Sequence, residues 1–201
     1  MALKFAVNNS LSAVTSLPTA IPTGSMTLLQ TQTASSSSTI SFTSNIDSTY
    51  DSYVFKFINI HPATDGANLT FQGSTNSGSS YGTTITSTAF LAQHAESDSD
   101  AELIYNGTQD LAQSTSFQSL ITQIGNASDE SGSGFLHLFN PSSTTFVKHF
   151  LIRTSGYQAD NYIQDRYYGG YFNTTSAIDA IQFKMSSGNI DSGVIKLYGI
   201  S

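Results

Sequence analysis

Histidines and carboxylates are the groups in this chain whose types and spacing could do chemistry. There are 4 His and 14 Asp and Glu in 201 residues. His137 and His149 flank "NPSSTT" and sit on the two arms of an expected hairpin, where facing rings would suit zinc or acid–base work. A metal centre or a catalytic dyad needs a third ligand or an orienting partner, and none stands nearby in the sequence. The favoured reading is two half-buried strand residues with hydrogen-bonded rings. "ESDSDAE" places Glu96, Asp98, Asp100 and Glu102 at alternate positions. Converging carboxylates could hold Ca²⁺, but the turn glycine and ligand order of a calcium loop are missing, so a solvated acidic loop is expected. No serine sits in a strand–turn–helix GxSxG setting and no Gly-rich loop precedes a helix. The expectation is therefore no catalytic residue, no metal and no cofactor.

Tyrosine is the other conspicuous residue. The segment 155–173, "SGYQADNYIQDRYYGGYFN", holds Tyr157, Tyr162, Tyr167, Tyr168 and Tyr171 among Asp, Asn and Gln. Rings stack on the apolar face of a pyranose while amides and carboxylates bond its hydroxyls, so a loop of this kind suits glycans. The same composition suits an oligomer interface or a loop packed on its own body, and that reading is preferred.

Whatever these residues do, strands must position them. Charged residues make up 10% of the chain, far below the roughly 25% of ordinary soluble proteins, and Ser, Thr, Asn, Gln and Gly replace them. Hydroxylated and β-branched residues suit pleated surfaces. With 13 Phe and 10 Tyr the chain has the means to bury a core. Apolar runs separated by polar turn clusters predict about nine strands and no convincing helix. "STISFTS" puts Ile40 and Phe42 on one face, and "ANLTFQGS" does the same with Leu69 and Phe71. "SYVFKFINI" is apolar on both faces except at Lys56 and Asn59, as in a central strand covered from each side. Asn106-Gly107 reads as a two-residue hairpin turn. Pro141 predicts a reversal between two apolar strands over 133–156. "AIDAIQFKMSSGN" and "SGVIKLYGIS" read as a final strand pair. The fold expected is all-β: an antiparallel β-sandwich, jelly-roll-like.

Net charge is −7 with only 7 Lys and Arg, which nowhere cluster in sequence. Tight phosphate binding needs cations, so no nucleic-acid partner is expected. No stretch is long and apolar enough for a membrane span, and the first ten residues are too short and polar for a signal peptide. Synthesis in a cytoplasm without export is expected. Cysteine is absent.

Residues 1–25 are different in kind. They are apolar, without period, and carry two prolines. They read as an extended arm ahead of a domain over 26–201, burying Leu3, Phe5, Val7, Leu17 and Ile21 on a neighbouring subunit. Pro18 and Pro22 would prevent pairing within its own sheet and lower the entropy lost on ordering.

"MTLLQTQTASSSSTISFTSNIDSTYDSYVFKFINIHPATD", "DLAQSTSFQSL", "GFLHLFNPSSTTFVKHF" and "NTTSAIDAIQFKMSSGNIDSGVIKLYGIS" resemble virion structural proteins of tailed phages of aquatic bacteria. The resemblance spans nearly all of the chain after Gly24. It implies a non-enzymatic particle component, decorating or cementing the capsid through the arm. Partners would be other virion proteins and further copies of the chain, in a symmetric oligomer such as a trimer. A tail-fibre or receptor-binding module contacting host glycans is the alternative. The resemblance carries over no catalytic residue.

Overall fold

The computed structural model describes residues 26–201. The arm, with Leu3, Phe5, Val7, Leu17, Pro18, Ile21 and Pro22, lies outside the described residues.

Twelve strands follow one another: β1 Thr27–Ser37, β2 Ile40–Phe42, β3 Ser52–Pro62, β4 Ala67–Ser74, β5 Ile85–Ala95, β6 Ala101–Tyr105, β7 Gln118–Ile124, β8 Gly132–Phe139, β9 Lys148–Tyr157, β10 Tyr162–Phe172, β11 Ala180–Met185 and β12 Ile190–Ile200. They form an eight-stranded sheet, β1-β12-β3-β8-β9-β10-β5-β6, and a four-stranded sheet, β2-β11-β4-β7. Every pairing is antiparallel.

If the hairpins β5–β6 and β9–β10 are set aside, eight strands remain, and the first pairs with the last (β1–β12). The second pairs with the seventh (β2–β11), the third with the sixth (β3–β8) and the fourth with the fifth (β4–β7). That is one long hairpin rolled over on itself, the jelly roll. The two inserted hairpins extend the larger sheet beyond β8. All the tyrosines of 155–173 therefore lie on or beside that extension.

Alternation explains which side chains fill the sandwich. Ile40 and Phe42 of β2, Leu69 and Phe71 of β4, and Tyr53, Phe55 and Phe57 of β3 all point between the sheets and are buried. β3 is central, as expected, and the smaller sheet covers its inner face, while on its outer face Val54 is buried too. The outer face also carries Lys56 and Ile58, both exposed. The hairpin predicted around Pro141 is present as β8–β9.

Three local expectations fail, the first two because partner choice is non-local. β11 and β12 do not pair with each other but enter different sheets. Asn106-Gly107 makes a turn, closed by Gln109 N–H donating to the Asn106 carbonyl, yet the chain then leads to β7 in the other sheet. The tyrosine-rich segment is strand β10 rather than a loop, paired along its length with both β9 and β5.

One glycine is dictated by close approach. Gly134 has φ +155°, and a Cβ there would stand 2.4 Å from the Arg153 carbonyl oxygen. Any other residue would push β8 away from β9.

Candidate interaction surface

Each strand of the larger sheet turns alternate residues into the core and the remainder outward, so the pairing registers define what the outer face carries. One row crosses all eight strands. On its first half stand Thr31 (β1), Lys196 (β12), Lys56 (β3) and Phe135 (β8). Arg153 (β9), Tyr167 (β10), Phe90 (β5) and Tyr105 (β6) complete it. Three of the chain's seven Lys and Arg residues meet here, although they are far apart in sequence.

The side chains of this row brace one another. Arg153 grips Asp165 in a two-pronged contact, Nη2 to Oδ2 at 2.9 Å and Nε to Oδ1 at 3.2 Å. Hydrogen bonding from Arg153 holds the Asp165 carboxyl below the usual carboxylate range. The Tyr167 hydroxyl donates to the same carboxylate at 3.0 Å. The Tyr167 ring stacks on Phe90, centroids 4.8 Å apart and planes 2° from parallel. The Arg153 guanidinium lies 5.0 Å from the Tyr167 ring centroid. Lys56 Nζ lies 5.3 Å from the Tyr198 ring centroid.

Large apolar side chains gather on this face. Ten are exposed among the described residues, and all but Met26 and Phe146 are on it: Leu28, Ile58, Phe90, Leu103, Tyr105, Phe135, Leu151 and Ile163, from 40% exposed at Phe135 to 75% at Leu103. The outer face of the smaller sheet is polar, with Ser41, Gln182 and Gln72 across one row and Lys184, Thr70 and Ser119 across the next; Gln72 and Thr70 are buried there, and the Gln72 amide donates to the Thr115 and Ser116 carbonyls of the segment that leads into β7. Among the described residues, eight large exposed apolar residues on one face and none on the other mark the outer face of the larger sheet as the candidate interaction surface.

The five tyrosines of the sequence reading do not act together. Tyr157, Tyr167 and Tyr171 are on the outer face, while Tyr168 is buried in the core cluster and Tyr162 pairs with Ala95 on the inward side. Tyr157 donates its hydroxyl to Asn161, and Tyr171 lies against the His149 ring, centroids 5.8 Å apart. Because Phe90 and Arg153 lie against Tyr167, its ring has little room to stack on a sugar.

The histidines separate too. His137 pairs in register with Leu151, not with His149. Its Nε2 is 2.9 Å from Ser52 Oγ and its ring packs on Phe139, centroids 4.0 Å apart. Burial pushes its pKa below the ordinary histidine value. In that case the unfolded chain takes up a proton at higher pH than the folded one does. Stability should be full above pH ~6.5 and fall as the pH drops towards the lower folded-state value. Urea unfolding at stepped pH should show this fall in the wild type and a smaller one in His137→Gln.

The acidic segment follows β5 as a turn. His94 Nε2 meets Asp98 at 3.1 Å, and the Gln93 amide donates to Asp100 and Glu102. Among the described residues no three His, Cys, Asp or Glu side chains are grouped to hold a metal ion.

Sequence reading missed the row itself. Its members come from eight strands, and only the registers bring Lys196 beside Lys56 or Arg153 beside Tyr167. The one available signal was the apolar outer half of "SYVFKFINI". Comparison with family models, with curated proteins and with solved structures gave no match to this chain.

Proposed function

We propose that this protein is a non-enzymatic virion structural protein of a tailed phage, a jelly-roll subunit that decorates or cements the capsid. Its partners are other virion proteins and further copies of itself, and residues 1–25 are the anchoring arm. The observation that carries the reading is the contrast between the two outer sheet faces. One is polar and partly covered by the segment before β7; the other collects Arg153, aromatic rings and eight exposed apolar side chains, residue types that are enriched where subunits meet. The resemblance of its longer phrases to virion proteins supplies the particle. Many weak contacts acting together reinforce a shell without tight binding at any one of them.

The test is mass spectrometry of purified particles with counting of copies. Hundreds of copies per particle are expected; a few dozen or fewer would favour a tail position, and complete absence would overturn the reading. Deletion of residues 1–24 is expected to leave a folded domain, with unchanged far-ultraviolet circular dichroism, that no longer incorporates. Undiminished incorporation would remove the arm from the mechanism.

A further inference from the structure

We infer that the outer face of the eight-stranded sheet is a two-fold interface between two copies of this chain, with the symmetry axis lying parallel to the strands between β8 and β9. The inference rests on the oligomeric part of the function proposed above and not on its virion part. It names the surface and the symmetry.

Area permits it. Eight strands spaced about 4.8 Å apart, with some five outward rows along them, give a face on the order of 1,000 Å². A stable interface buries about 800 Å² per partner. The eight exposed apolar residues of this face would be withdrawn from water, and nothing comparable is available on the smaller sheet.

Charge selects the symmetry. In strand order the crossing row reads Thr31, Lys196, Lys56, Phe135, then Arg153, Tyr167, Phe90, Tyr105. A two-fold axis between β8 and β9 lays the second half of one copy over the first half of the other. Phe135 then meets the partner's Arg153, Lys56 meets the partner's Tyr167, and Lys196 meets the partner's Phe90. Every cation of the row faces an uncharged side chain, each contact occurs twice by symmetry, and none sets like charge on like charge. An axis running across the strands along this row would instead place each strand over its own copy, with Lys56 on Lys56 and Lys196 on Lys196, which repel. Packed sheets cross at about −30°, so pairs far from the axis drift out of register. The contacts of Phe135 with Arg153 and of Lys56 with Tyr167 are nearest the axis and least affected.

In the next row Leu151, 54% exposed, stands beside His137 on the β8–β9 pair that flanks the axis. It is the apolar residue that the dimer would bury most centrally.

The experiment uses the isolated full chain. Sedimentation equilibrium over about 1–100 μM, the range where moderate affinities are read, should give a mass approaching twice 21.5 kDa. Leu151→Glu should weaken dimerisation at least ~100-fold and Lys56→Glu at least ~10-fold. Ser44→Glu, in the exposed turn after β2, should leave it unchanged. Because the chain has no cysteine, Leu151→Cys carries a single thiol, and a short bismaleimide should link it into covalent dimers while Ser44→Cys stays monomeric on the gel. The crosslink decides the matter should Leu151→Glu misfold, as judged by circular dichroism. A monomer throughout, a trimer, a dimer indifferent to Leu151→Glu in a folded protein, or equal linking of the two cysteine variants overturns the inference. A failure here leaves the particle copy number untouched, so the two proposals fall separately.

Discussion

Phe183→Ala should cost the sandwich about 3–5 kcal/mol, a large part of the roughly 5–15 kcal/mol that holds a domain together. Phe183 is fully buried on β11 at the centre of the smaller sheet. Its ring meets three others edge-on: Phe42 of its own sheet at 6.1 Å between centroids, and Phe55 and Phe57 of the facing sheet at 5.3 Å each. Edge-to-face pairs add about 0.5–1.5 kcal/mol each beyond the area they bury. Truncation therefore opens a cavity between the sheets and also removes the ring against which three neighbours are set. Urea unfolding should show a much lower midpoint with an unchanged slope, the sign of lost stability rather than a changed unfolded state. Ser44→Ala, in the exposed turn after β2, is the control and should shift stability by no more than ~0.5 kcal/mol. A loss under about 1 kcal/mol at Phe183 would mean that the two sheets are not held together at this cluster.

Lys148→Ala should be nearly as damaging, about 2–4 kcal/mol, for a different reason. Lys148 begins β9 and is fully buried. Its Nζ donates to the Phe146 carbonyl at 2.9 Å and the Thr174 carbonyl at 3.1 Å. The side chain thus ties the β8–β9 turn to the segment that leaves β10, and alanine would remove both the buried stem and the donors of two carbonyls. Burial pushes the ammonium pKa down. Between that lowered value and the ~10.4 of an unfolded lysine, the unfolded chain holds a proton that the folded chain has released. Stability should therefore rise with pH across that window and level off above it. Lys148→Met fills a similar volume without a titratable group, so it should lose this rise. Comparing wild type and Lys148→Met by urea unfolding at about pH 8 and pH 10 checks the sign. A wild-type stability that fell towards pH 10 relative to the methionine variant would contradict it.

Much of the body was legible from period alone. Ile40 with Phe42, and Leu69 with Phe71, occupy the core as their alternation predicts, and Pro141 marks the reversal between β8 and β9. The tyrosine segment misled because its Gly, Asn and Asp content resembles a loop, while Gly169-Gly170 lies in mid-strand between β9 and β5. A Cβ at Gly170 would stand 2.5 Å from the Phe150 ring and 2.8 Å from the Thr86 carbonyl oxygen, so this glycine is required by packing and not by a turn. His137 and His149 were placed on the right strands, yet the register sets Leu151 opposite His137.

Alternation along the chain was enough to establish that it is built from antiparallel strands, and which residues of several strands turn inward. Those properties depend on alternation over a few neighbouring residues, which the backbone imposes locally. Only the tertiary structure decided which sheet each strand joins, that β11 and β12 part company, and that Lys196, Lys56, Arg153, Tyr167 and Phe90 share one row. Register is set by burying a whole face at once, and between β12 and β3 it depends on residues more than a hundred positions apart, which no local pattern records.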